Sequence, residues 1–440
     1  MRKNWAGIDS SDLRMILENR IGGPGQYSGG VTEKGPLYLP VFESARVAIR
    51  FKGNRVSEIL PASHFDEVQW KAVSADLDAL GATAPDSFGR DFAFSSYRVT
   101  GWWHGEKSRV SILPPPDGAP TMPYEMGEHP FVLEAPLVND RDYSVANFRR
   151  RREVRRMALL LNILLVGRVN VEPRQTRHAW AITAPQFSIP GQQIDIMQVG
   201  PTETHRVEWV QRGYITYLDT QIVQVPSLPV GEPLGTLNRD EYSKIRGIDG
   251  KPLRVPADLD DFICAYQGLS RYHREHLDRA LFWFDLASEQ WTTSMSASYA
   301  SLVSAIETLV GRGTVHHAFC KLCGEERTHD VPSLSEMFKH FLDRYAPSEA
   351  EDRLRKKMYG LRSEILHGSK LIAFDEDLAI GWDPPWENQT RLHGELWLIT
   401  RIALRSYLKN PMESSAPEAL SYWGRLLHWF KLFPPIRQED

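Results

Sequence analysis

Three cysteines in 440 residues, Cys264, Cys320 and Cys323, are too few and odd in number for the disulfide framework of a secreted protein. No long apolar run exists either. The longest, Met157 to Val166, meets Gly167 and Arg168 at once and falls short of the roughly 20 residues that span a bilayer. It is expected as a buried helix or strand. No apolar segment follows Met1-Arg2-Lys3, so no secretory signal is expected. Charge of one sign is also scarce: a formal net charge of −4 excludes a polycation that coats nucleic acid wholesale and leaves only a local basic patch for that purpose. The cluster Gly22-Gly23-Pro24-Gly25 lacks the Lys-Ser/Thr of a phosphate loop and reads as a turn. There is no convincing Gly-x-Ser-x-Gly elbow and no His-Glu-x-x-His pair. Asp375-Glu376-Asp377 reads as a solvated loop, not a two-metal site. A cytoplasmic protein with no membrane partner is the expectation.

With 42% apolar composition, two or three domains can each bury a core. The chain reads as an α+β multidomain protein. Residues 1–235 are rich in glycine and proline. They carry short runs with β character at Ala45–Phe51, Phe92–Thr100, Arg109–Leu113 and Ala179–Ile189, with turn signals such as Pro114-Pro115-Pro116-Asp117-Gly118 between them. One helix interrupts this mixed, β-rich region, from about Ser144 to Leu165, with Asp142 and Ser144 as candidate caps. Its expected role is sensing or regulation. A Pro-rich linker is expected over 236–256.

From 257 to 440 helical periodicity takes over. Asp258–Glu289 reads as one or two helices. Ser298–Val310 places Tyr299, Leu302, Val303, Ile306, Leu309 and Val310 on one face. Leu334–Tyr345 is closed by Pro347. The next helix is capped by Ser348 and striped by Leu354, Met358, Leu361 and Ile365, and Gly368 stops it. A fifth helix runs from about Asn388 to Leu408, and a last amphipathic stretch covers Ala419–Phe430. The plain structural account is an all-α bundle.

Arg and His stand five positions apart at three places: Arg271/His276, Arg312/His317 and Arg362/His367. About one such spacing is expected by chance, so context must choose. Arg362 and His367 lie in the last turns of a well-patterned helix. A helix C-terminus favours a protonated imidazole, and a guanidinium fits phosphate with its fork. Together they suffice for metal-independent RNA cleavage: His367 moves a proton at the 2′-hydroxyl or the leaving oxygen, and Arg362 steadies the phosphorane charge. Five helical residues turn about 140° past a full circle, so the two side chains do not share a face of an ideal helix. They converge only at the helix end or in a cleft completed by a second copy. The ordinary alternative is that Arg362 pairs with Glu364 or another carboxylate and His367 caps the helix.

The block Met358-Tyr359-Gly360-Leu361-Arg362-Ser363-Glu364-Ile365-Leu366-His367-Gly368 resembles the signature helix of HEPN domains, in particular the Apea-like group of prokaryotic antiviral defence proteins. Arg279–Ala287, followed by Tyr299–Val310 with Glu307 inside, is similar to the helices that precede the motif in that group. The resemblance covers about residues 256–410. It implies catalysis by Arg362 and His367, an RNA substrate, a homodimer or higher homo-oligomer, and a place in abortive infection with a phage protein or other trigger acting on the N-terminal region. Ser363 stands where active members often have Asn, Asp or His, and Ser369 where some carry Tyr. Glu307, Ser363 and Glu364 are accessory candidates, Glu307 as an orienting partner of Arg362. A non-catalytic HEPN scaffold for dimerisation or RNA binding is the rival reading.

Two further patterns carry chemistry. Cys320-Lys321-Leu322-Cys323-Gly324, within an insertion at 312–332, has the form of a zinc turn. His329 and either His316 or His317 would complete a structural tetrahedral zinc site. The competing account is two reduced thiols in a loop. Arg149, Arg150, Arg151, Arg152, Arg155 and Arg156 form a basic run on the expected N-terminal helix. They can hold RNA phosphates, or point in several directions as an ordinary solvated face. Trp102-Trp103 offers stacking for bases, with packing as its commoner use.

Overall fold

A computed structural model describes residues 16, 26–32, 35–41, 47–52, 55–61, 67–80, 85–115, 129–139, 143–171, 180–182, 204–206, 231–238, 252–291, 293–310, 317–319, 326–328, 333–347, 352–377 and 384–412. Helices and antiparallel sheet are both present, so the protein is α+β. It divides into two compact units, Met1–Asp260 and Asp261–Asp440.

The first unit opens with an antiparallel meander of β1 (Gln26–Thr32), β2 (Gly35–Val41), β3 (Val47–Lys52) and β4 (Arg55–Pro61). Helix α1 (Glu67–Leu80) follows, where no helix was expected. Its buried positions Val73, Ser74 and Leu77 keep helical spacing, but the stripe is short and diluted by serine and alanine. A second antiparallel sheet contains β5 (Ser87–Ser95), β6 (Trp103–His104), β7 (Ser111–Leu113), β8 (His129–Leu137) and β9 (Val169–Val171), in the order β6-β7-β8-β5-β9. Strand β8 is buried along nearly its whole length, as its almost continuous apolar sequence requires. Helix α2 (Tyr143–Leu164) packs on β5, β8 and β9 through Leu160, Leu161 and Leu164. A Cβ at Gly89 would lie 2.5 Å from Leu137 Cδ2 and 3.2 Å from the Arg150 Cα, so the glycine lets α2 approach β5 closely.

One polar row runs straight across this sheet. His104 faces Ser111, Ser111 faces Glu134, and Glu134 faces Arg90. The Ser111 hydroxyl donates to Glu134 Oε1 (2.9 Å) and lies 3.0 Å from His104 Nδ1. The carboxylate can only accept, so the serine proton goes to it and the His104 Nδ1–H donates to the serine. Arg90 pairs with the other oxygen of Glu134. A buried charge is compensated from both sides, the condition for its being tolerated.

Strands β10 (Trp180–Ile182) and β11 (Thr204–Arg206) pair antiparallel. At the two ends of the stretch expected as a linker, β12 (Thr236–Leu237) pairs in parallel with β13 (Val255–Pro256), both within the first unit. Leu234, Leu237, Leu253 and Val255 are buried there. Pro256 itself pairs with Leu237 at the end of β13, where a missing N–H is tolerated.

Helix α3 (Leu259–Gln267) begins at the division between the units, and the rest of the described second unit is mainly helical. It contains α4 (Arg271–Gln290), α5 (Met295–Leu309), α6 (Leu334–Tyr345), α7 (Asp352–Leu366), the short α8 (Ala373–Asp377) and α9 (Pro384–Lys409), with one hairpin of β14 (His317–Phe319) and β15 (Glu326–Thr328). Ser270 and Ser294 cap α4 and α5, and Ser333 with Glu336 forms a capping box on α6. Antiparallel α4 and α5 share the largest contact, and α9 crosses α4, α5 and α6. Tyr299, Leu302, Val303 and Ile306 of α5 are buried, as their spacing predicts. Phe284, Phe338, Phe341, Met358, Leu396 and Leu404 fill the space around them. Among the described residues no helix is long and apolar enough to cross a membrane.

Candidate functional site

Helix α7 ends by closing on itself. Gly368 adopts φ 69°, its N–H donates to the Ile365 carbonyl (3.0 Å), and the Ser369 N–H donates to the Glu364 carbonyl (3.0 Å). This is a Schellman closure, and the left-handed residue it needs is the glycine. His367 is therefore the C-cap residue, its own N–H donating to the Ser363 carbonyl (3.0 Å). Its ring is exposed and has no hydrogen bond or ion pair among the described residues. Glu364 sits on the solvent side and pairs with Lys370 (3.5 Å).

Arg362 turns the other way, toward α5. Its Nη2 donates to Glu307 Oε2 at 2.6 Å, with the two side chains 20% and 19% exposed. Glu307 Oε1 accepts a second bond, from the Tyr359 hydroxyl (3.1 Å). The Arg362 guanidinium also stands 5.8 Å from the centre of the Tyr359 ring. Burial, then the Glu307 carboxylate, raises the Tyr359 hydroxyl pKa and keeps it a proton donor. The Arg362 Nε is buried without a partner. No hydrogen bond joins Arg362 to His367, as the 140° turn between them predicts. Arg362 pairs with a carboxylate from another helix, not with Glu364. Tyr359 is the member of this group that sequence reasoning did not assign. Its only signal is its position one helical turn before Arg362.

The other described Arg-x4-His pair is committed elsewhere. Arg271 bonds Glu275 (2.8 Å), and His276 bonds the Tyr272 carbonyl (2.8 Å) and stacks on its ring. Arg312 and the side chain of His317 lie outside the described residues.

The segment after His367 is held at α5. The Asp375 carboxylate accepts from the Met295 N–H (2.9 Å), the Ser296 N–H (2.7 Å) and the Ser294 hydroxyl (3.0 Å), and the Ile372 N–H donates to the Ser296 hydroxyl (2.8 Å). Asp375 thus caps the N-terminus of α5 and is not a solvated loop residue. A carboxylate there also meets the positive end of the helix dipole. Burial pushes its carboxyl pKa up, but the bonds from Ser296, Met295 and Ser294 together hold it below the usual carboxylate range. Asp375→Ala is expected to cost about 2 kcal/mol, read as a lower urea midpoint at neutral pH. Because the folded pKa is the lower one, this stabilisation is present at neutral pH and is lost as pH falls through that value. A deficit that persists unchanged at strongly acidic pH would contradict the assignment.

The same helix buries a histidine. His393 of α9 is fully buried, with Nε2 2.8 Å from the Ser298 hydroxyl, which itself lies 2.7 Å from the Ala287 carbonyl. Ser298 has one proton and gives it to that carbonyl, so His393 donates from Nε2. Its Nδ1 is left without a partner. Burial pushes the imidazole pKa down to about 4.

On α2 the six arginines diverge. Arg149 is buried and donates to the Val138 carbonyl (3.3 Å), and Arg150 bonds the Arg90 carbonyl and Asn147. Arg152 and Arg156 both pair with Glu153 at 3.0 Å. Arg151 and Arg155 are the exposed ones. Trp102 donates to the Gly231 carbonyl (3.0 Å). Cys320, Cys323, His316 and His329 lie outside the described residues. Strands β14 and β15 bracket residues 320–325, with His317 opposite Thr328. Among the described residues no cluster of His, Cys, Asp and Glu has the makings of a metal site. Cys264 is half-buried and in no disulfide.

Compared with family models, curated proteins and solved structures, the chain matches none.

Proposed function

We propose that the second unit is a HEPN-type helical domain that cuts RNA without a metal, using Arg362 and His367. The observation that carries this reading is an exposed imidazole at the C-cap of a helix that also holds a guanidinium anchored by one nitrogen. In the reaction His367 takes the 2′-hydroxyl proton as that oxygen attacks phosphorus. The bond to the 5′-oxygen breaks to leave a 2′,3′-cyclic phosphate, this oxygen takes a proton from water, and Arg362 offsets the phosphorane charge. The 140° between the two side chains favours a homodimeric cleft in which each protomer's motif faces its partner's. The first unit then senses a trigger, such as a phage protein, or restrains the nuclease in abortive antiviral defence, and the exposed Arg151 and Arg155 are its candidate RNA contacts.

A binding scaffold is favoured by one observation: Arg362 already has a carboxylate partner in Glu307. RNA integrity during expression of the wild type, Arg362→Ala and His367→Ala, with and without phage, separates the two. Breakage abolished by both substitutions in folded protein supports the nuclease. Intact RNA throughout, or breakage that both variants retain, leaves the scaffold.

A structural zinc held by Cys320, Cys323, His329 and His316 belongs to the same reading, since a Cys-x2-Cys sequence between two paired strands is a compact way to present two thiolates to one ion. Purified protein is expected to carry one zinc per chain, lost in the Cys320→Ser/Cys323→Ser double variant. Metal-free wild type would refute it.

A further inference from the structure

Arg362 is held by more than its ion pair. Glu307 reaches it from α5 with one oxygen, and the other oxygen of the same carboxylate is taken by the Tyr359 hydroxyl. Tyr359 is itself fixed. Its ring lies 5.4 Å from the Phe338 ring of α6 and 5.8 Å from the Arg362 guanidinium. The three groups form a closed circuit: tyrosine to carboxylate, carboxylate to arginine, arginine over tyrosine. A carboxylate bonded through one oxygen only can rotate about its last torsion, since such terminal torsions are broad. Bonded through both, it cannot turn without breaking a charge-assisted hydrogen bond. The guanidinium spends Nη2 on Glu307, and its Nε is buried out of a ligand's reach. Nη1, which has no partner among the described residues, is thus the nitrogen left over on an arginine whose direction is set.

We propose that Tyr359 is a positioning residue for Arg362: by pinning Glu307 it holds the guanidinium at one nitrogen and leaves its remaining donors directed at a phosphodiester of bound RNA. This rests on the nuclease reading above. Tyr359 touches no reacting atom and acts only through Glu307. Two consequences follow that a packing role would not produce. Tyr359→Phe keeps the ring against Phe338 and Arg362 but frees the carboxylate, so cleavage should slow about ten- to a hundred-fold. In a Glu307→Gln background the same change should do almost nothing, because the residue it acts through no longer holds Arg362 as a carboxylate does.

The test uses the full chain and a fluorophore-labelled single-stranded RNA oligonucleotide of mixed sequence. Single-turnover cleavage is followed for the wild type, Tyr359→Phe, Glu307→Gln and the double variant, with Arg362→Ala and His367→Ala as controls. In parallel, phenylglyoxal labelling of Arg362 is measured by peptide mass spectrometry, with buried Arg355 as internal standard for folding. Faster labelling of Arg362 but not Arg355 in Tyr359→Phe, together with slower cleavage that is non-additive with Glu307→Gln, is the expected result. Cleavage and labelling by Tyr359→Phe equal to wild type, while the control variants are dead, overturn the role of Tyr359 and leave the nuclease standing. Additive losses, or equal labelling gains at Arg355, assign Tyr359 to packing and overturn it likewise. No cleavage by wild type, or undiminished cleavage by the controls, overturns the nuclease reading itself and the positioning role with it.

Discussion

His367→Ala is expected to lower RNA cleavage by about 10²- to 10⁴-fold, the usual worth of a positioned general acid or base, while changing stability by less than about 0.5 kcal/mol. The second half of that expectation gives the first its meaning. The imidazole is exposed and makes no side-chain bond among the described residues, so its removal takes nothing from the fold. The turn that follows is closed by backbone bonds at Gly368 and Ser369, which alanine at 367 leaves intact. Arg362→Ala should be equally damaging to cleavage but less clean, because it leaves the half-buried Glu307 carboxylate without its cation and costs about 1–3 kcal/mol. Arg362→Lys restores the charge but not the planar fork and should not restore activity. Cleavage rates paired with urea midpoints for the three variants check this. A His367→Ala protein that cleaves like wild type would remove the nuclease assignment, and one that unfolds early would make His367 structural.

Acid should weaken the second unit before most of its carboxylates titrate. His393 is neutral in the fold, with its pKa pushed down by burial to about 4, against 6.5 when free. The unfolded chain therefore takes up the proton first as pH falls. Stability contributed by the neutral form is complete above about pH 6.5 and declines to the folded pKa, by about 3 kcal/mol in all. Asp375 adds a loss of the same sign at lower pH. Met in place of His393 has a similar volume and no proton to gain, and it removes the unpartnered Nδ1. Urea midpoints of His393→Met should fall much less than wild type between about pH 6.5 and about pH 4. Parallel curves for the two proteins would mean that His393 reaches solvent or finds a donor for Nδ1.

How far the sequence could be read depended on the range of the interactions. Tyr299 to Leu309, Leu334 to Tyr345 and the Gly368 stop follow from local periodicity and from one residue's freedom at positive φ. They stand in the structure within a few residues of where spacing places them. The 140° separation of Arg362 and His367 is equally local. Glu307 was singled out on the resemblance, and its bond to Arg362 depends on how α5 packs on α7. Three features were not legible. Asp375 reads as solvent-facing because it stands among acids, and only the fold brings it to a helix terminus eighty residues earlier in sequence. His393 carries no motif, and its pairing with Ser298 exists only across two packed helices. Strands β12 and β13 are two residues each and lie apart in sequence, too short to show a period. The basic run on α2 was legible as charge but not as direction, since Arg149 and Arg150 turn inward to carbonyls that neighbouring strands supply.

Helix α5 holds Arg362 by one end and the segment after His367 by the other. Near its C-terminal end Glu307 grips Arg362. At its N-terminus the capped backbone and Ser296 grip Asp375 and Ile372, which follow His367 in the chain. The two grips lie about 18 Å apart along one rod. Whatever leans on α5 is therefore felt at two points of the chain at once, at Arg362 on the motif helix and at the segment that follows the helix stop.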